Sequence, residues 1–110
     1  MPPVNLPKRL KRERPSACGR VCQGHRRWVR SHACCVPNCV AGPVECAHVR
    51  IGTDGGVGLK PSDRWIVSLC SEHHREQHQL GKPLFETRYG IVLYELAQAF
   101  ARKSPHARKL

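Results

Sequence analysis

Cysteine and histidine occur in this chain as two close sets, and that spacing restricts the fold more than any run of apolar residues does. Cys35 and Cys39 enclose three residues, Cys70 and His73 enclose two, and about thirty residues lie between the sets. Four soft donors from two separated knuckles are what a structural zinc site uses. Zn²⁺ bound by Cys35, Cys39, Cys70 and His73 would staple the intervening segment into a hairpin. Cys34, one residue further from Cys39, is the competing ligand, and Cys35 is preferred. Cys18 and Cys22 resemble a further half-site without a second pair, and Cys46 is expected to pack against the hairpin.

A staple is needed because the core is small. The chain has 110 residues, 40% of them hydrophobic, with only two Trp, two Tyr and two Phe. A single domain of this size buries too little apolar surface to be comfortable without a metal or disulfides. Disulfides fit poorly: the count of seven Cys is odd, Cys alternates with His, and there is no secretory signal or membrane-length apolar run. The expected setting is a reducing cytoplasm, with no membrane association. Nineteen Lys and Arg against eight Asp and Glu give a net charge of +11 and a pI near 9.9. Such a balance suits a polyanion, and DNA is the expected partner because phosphate neutralisation supplies most non-specific affinity.

Along the chain, residues 1–23 read as a basic arm without regular structure, most plainly over 1–16 with its four Pro. The folded domain is expected over 24–103, starting with a short helix over 24–31 that turns Trp28 inward and its Arg residues outward. Residues 34–43 form the knuckle, and 44–51 a strand. A long Gly-rich loop covers 52–63, and 64–69 (RWIVSL) make a second strand. Ser71 is a candidate N-cap for a helix over 72–80, with Gly81 its stop. Further helices are expected over 83–89 and 92–103. The last has Leu93, Leu96, Ala97 and Phe100 at core spacing, and residues 104–110 read as a basic tail.

Three histidines of the central stretch, His48, His74 and His78, fall outside the zinc count. His74 and His78 fall one turn apart on one helix face and can share a cation. A metalloprotease is disfavoured, since the position after the first His is Arg75 and not Glu. His48 lies in the first strand, with Arg50 two residues on and on the same face. An imidazole that accepts a proton from water, beside a guanidinium that neutralises phosphoryl charge, suits hydrolysis of a phosphodiester.

These residues resemble those of the HNH endonucleases, in particular small phage and prophage members. The likeness lies in Cys-x-x-x-Cys (35–39), Ala-His-Val-Arg (47–50), Lys-Pro-x-Asp (60–63) and Leu-Cys-x-x-His-His (69–74), within residues 24–95. The resemblance implies an α+β fold of ββα-metal, treble-clef-like type. It implies His48 as general base, Asp63 as the group that braces the loop and orients it, and His74 and His78 as ligands of the catalytic cation. Ala47 departs from the pattern, where His or Asp is usual. Glu45, on the same face about 6.6 Å back along the strand, is the candidate replacement ligand.

The sequence therefore leads to the expectation of a metal-dependent endonuclease acting on DNA. It would need structural Zn²⁺ and a catalytic divalent cation: Mg²⁺, Mn²⁺, Ni²⁺ or Zn²⁺. Arg50 and Lys60 would contact phosphate, and a phage or recombination protein is a candidate partner. The rival expectation is a zinc-stapled DNA-binding or accessory module without catalysis. An RNA-binding zinc protein is disfavoured by the lack of an aromatic stacking surface.

Overall fold

The computed structural model describes residues 21–50 and 61–110. The arm over residues 1–20 with Cys18, and residues 51–60 of the Gly-rich loop with Lys60, lie outside them. Among the described residues the protein is a small α+β structure with one two-stranded antiparallel sheet and four α-helices. No described helix is long and apolar enough to cross a membrane.

The hairpin pairs β1 (Val44–His48) with β2 (Ile66–Cys70), in a register that sets Val44 opposite Cys70 and His48 opposite Ile66. β1 is shorter than its apolar pattern predicts. Beyond His48 one further bond, from the Val49 N–H to the Trp65 carbonyl at 2.8 Å, continues the pairing. Residues 64 and 65, expected as strand, belong instead to a 3₁₀ turn (Asp63–Trp65), and β2 starts only at Ile66. All five β2 residues are buried, because helices cover both faces of this strand. That double cover explains why RWIVSL shows no polar alternation.

α1 (Gln23–Arg30) packs on one face of the hairpin, and α4 (Leu93–Lys103) on β2 and the 3₁₀ turn. Between them in sequence run α2 (Ser71–Leu80) and α3 (Lys82–Tyr89). α2 begins directly from β2, and Cys70 occupies the N-cap position that the sequence reading gave to Ser71. Gly81 separates α2 from α3 with φ of 84°, and Gly90 ends α3 with φ of 66°; both are left-handed values that a side chain would oppose. The Glu86 carboxylate of α3 then accepts the Leu93 N–H at 2.6 Å, capping α4.

The core is continuous from Ala47, Val67 and Leu69 of the sheet through Phe85 of α3 to Leu93 and Ala97 of α4. Leu96 and Phe100 are only partly buried at its margin. α1 departs from expectation. Its buried side chains are His25 and Val29, while Trp28 is half-buried against Phe100 and His32. Arg26 turns inward rather than outward, drawn by an acidic partner on the 3₁₀ turn. Residues before 24 also pack here, since Cys22 is buried. At the other end Ser104 bonds His25 Nδ1 at 2.8 Å, and the His106 ring lies over Gly24, where an added Cβ would come within 2.4 Å. Residues 104–110, read as a tail from the sequence, thus fold back onto α1.

Candidate functional site

Two adjoining sites are built on the hairpin and α2. The first is a group of four ligands: Cys34, Cys39, Cys70 and His73, whose donor atoms all lie within 4.8 Å of one another. His73 Nδ1 is 3.5 Å from the Cys34 and Cys39 sulfurs and 3.2 Å from that of Cys70, and Cys39 Sγ is 4.0 Å from Cys70 Sγ. Tetrahedral zinc, with bonds of about 2.3 Å to sulfur and about 2.0 Å to nitrogen, requires edges near 3.5 Å (S···N) and 3.8 Å (S···S). The cluster could therefore hold a metal ion such as zinc with little movement. Asn38, at φ of 66°, and the Cys39 N–H to Val36 carbonyl bond make the knuckle turn. Tyr89 of α3 sets its ring edge on His73 and its hydroxyl on Glu76, which also takes Arg88 at 2.7 Å, so α3 braces the imidazole.

Cys34, not Cys35, belongs to the cluster, which corrects the preference drawn from spacing. The Cys35 N–H donates to the Ser68 carbonyl at 2.8 Å, docking that residue on β2. The Cys35 thiol lies 3.4 Å from Ser68 Oγ, whose own proton goes to the Ala33 carbonyl at 2.7 Å. The thiol therefore donates there and is turned from the cluster. Without a cation, burial pushes the Cys34 thiol up to about 11. Metal binding must then expel a proton.

The second site is an open cleft of about 530 Å³ where the end of β1 meets α2. His48, Arg50, His74 and His78 all line it, joined by Arg26 and Lys82. His48 is the last residue of β1 rather than a mid-strand one. Its Nε2 lies 3.0 Å from Asp63 Oδ1, and Asp63 Oδ2 accepts the Arg26 Nε–H and the Cys22 N–H, each at 2.8 Å. Burial pushes the Asp63 carboxyl up, but Arg26, the Cys22 N–H and His48 together outweigh it and hold it below the usual carboxylate range. An ionised Asp63 accepts, so Nε2 carries a proton, and in the neutral ring the lone pair is then on Nδ1. That is the tautomer of an oriented base.

His74 and His78 stack with ring centroids 5.0 Å apart, as i and i+4 residues of α2 do. Glu45 Oε1 lies 2.8 Å from His74 Nδ1. Glu45 thus engages the imidazole through Nδ1, so Nε2 is the nitrogen that could hold a cation, with the carboxylate behind the ring. Ala47 is wholly buried among core residues. Among the described residues, only Cys34, Cys39, Cys70 and His73 bring three or more such donors together.

The sequence reading missed Arg26 and the Cys22 N–H. Neither carries a local signal, since their partner is Asp63, about forty residues away. Cys46 reaches the Arg26 carbonyl at 3.4 Å and also lines the cleft.

A small α+β protein with a three-cysteine, one-histidine cluster beside a basic cleft is the class that fold and site define. The chain belongs to the family described as protein of unknown function DUF968, which matches residues 6–104. It is also similar to the uncharacterized protein YdfU of Escherichia coli (strain K12), at 36% identity over 70 residues. That match covers 63% of this chain and 19% of YdfU, so the chain spans about a fifth of this relative's length. No solved structure matches.

Proposed function

We propose that the protein is a metal-dependent endonuclease of HNH type that hydrolyses DNA phosphodiester bonds. The observation that carries this reading is the His48–Asp63 pair opening onto the same cleft as His74 and His78. His48, its proton held on Nε2 by Asp63, would accept a proton from water at Nδ1. His74, oriented by Glu45, and His78 would hold a divalent cation, which when bound supplies charge neutralisation at the phosphoryl group. Arg50 and Lys82, which line the cleft, would contact phosphate oxygens. The zinc cluster would fix β2 to α2, and with it the geometry between His48 and the α2 histidines.

Supercoiled plasmid with Mg²⁺, Mn²⁺, Ni²⁺ or Zn²⁺ tests the reading. Nicking should occur with at least one ion and fall about 10²–10⁴-fold in His48→Ala, with folding and zinc content unchanged. Nicking by His48→Ala at the wild-type rate would sink the mechanism. The burial of Ala47, and the lack of a third gathered ligand at His74 among the described residues, favour a second reading, a zinc-stapled DNA-binding module without catalysis. That reading gains if wild-type protein binds plasmid and nicks it with none of the four ions.

A further inference from the structure

Arg26 lies along the cleft wall, and its guanidinium is tied down at one end only. Nε–H is held by Asp63 Oδ2 at 2.8 Å. The arginine side chain is 29% exposed while that of Asp63 is 1% exposed, so the bonded end is buried and the η edge is what the cleft meets. A guanidinium has five donors in one plane and Nε uses one. Among the described residues the η nitrogens have no protein acceptor.

The surrounding charge gives those donors a ligand class. Arg50 and Lys82 line the same cleft, Lys82 with Glu86 Oε1 3.2 Å away, whereas the carboxylate that holds Arg26, Asp63, is already shared between Arg26, His48 and the Cys22 N–H. Glu45, which is committed to His74, does not line it. A cationic rim with planar, unspent N–H donors fits a phosphodiester oxygen, which arginine takes with two parallel bonds. We propose that Arg26 is a phosphate-binding residue for nucleic-acid backbone: Nε is the anchor and the η nitrogens are the contact. One carboxylate then holds both the phosphate-binding group and His48, one on each oxygen, so substrate and base share a single reference point. Lysine has three donors but on a single nitrogen, so it offers no separate planar edge to a phosphate while another part of the group is anchored. The inference rests on reading the cleft as a phosphodiester site and deepens it.

The test is the salt dependence of binding to a 20-base-pair duplex, followed by fluorescence anisotropy, with Arg27→Gln as a control of equal charge. Arg27 is exposed on the same helix and is not a cleft residue. Loss of a phosphate contact should lower the slope of log K against log salt by about 0.9 in Arg26→Gln, with a change near zero in Arg27→Gln. Equal slopes in the two variants overturn the proposal, as does a wild type that does not bind the duplex. Should Arg26→Gln fail to fold, ¹H–¹⁵N spectra of the wild-type guanidinium decide: duplex should shift the Arg26 η signals, and unmoved η signals overturn the assignment. A wild type that binds but never nicks sinks the nuclease reading alone, and the slopes still judge Arg26.

Discussion

Exchanging single thiols in the vicinal pair Cys34 and Cys35 separates a metal ligand from its neighbour. In Cys34→Ser the cluster loses one of four donors, a sulfur that lies 3.5 Å from His73 Nδ1 and is almost fully buried. Structural zinc in small domains contributes about 10–16 kcal/mol of apparent binding free energy, so one ligand of four is worth about 3 kcal/mol. That corresponds to zinc affinity weakened roughly 100-fold and, at about 4–8 °C per kcal/mol, to a Tm lower by about 10–25 °C. In Cys35→Ser the loss is one weak S–H···O contact of 3.4 Å to Ser68, worth at most about 1 kcal/mol. Zinc per chain by mass spectrometry, affinity by competition with a chromogenic chelator, and melting with and without EDTA read all three quantities. Zinc retained by Cys34→Ser and lost by Cys35→Ser would refute the ligand assignment and restore the one favoured by spacing.

Glu45→Gln should weaken the divalent cation at His74 about 10-fold while the Cys/His cluster stays loaded; nicking with wild-type metal dependence would show that the carboxylate does not support His74. Ala47→Asp should destabilise the fold by several kcal/mol rather than tighten metal binding, because the carboxylate would be buried among Val67 and Leu69; a stable variant that binds metal more tightly contradicts this. Burial pushes His25 down to about 4, against an ordinary value near 6.5. In that window the unfolded chain binds a proton that the folded chain refuses, so stability falls as pH drops from about 6.5 towards 4. His25→Gln should flatten urea midpoints measured across this range, and an unchanged pH slope would remove His25 as the cause.

Much of the hairpin and the helices was legible because each has a local cause. Gly81 and Gly90 mark real stops, and β-branched residues mark both strands. The ligand pairs Cys39, Cys70 and His73 were legible from spacing. The Cys34/Cys35 choice was not, since it depends on which residue donates its N–H to Ser68, a contact across 33 positions. The inward turn of Arg26 was hidden for the same reason: on helical period alone, arginine faces water. Asp63 was found only through family likeness, and its neighbours show why it matters. The C-terminal residues look like a tail because Ser104 and His106 have short side chains or a polar tip, and their partners lie on α1 at the far end of the sequence.

Cys70 ends β2, starts α2 and belongs to the cluster, while Cys34 and Cys39 stand on the far side of the hairpin in sequence. A bound cation therefore behaves as a cross-link across more than thirty residues, acting on the unfolded chain as well as on the native one. Strand register is set at this clip, at the end of the sheet away from the connecting segment. The connection is thereby relieved of holding the strands together, and doubling its length adds only about 0.6 kcal/mol of closure cost. Lengthening the connection between the strands should consequently leave undisturbed the frame that carries His48 and α2.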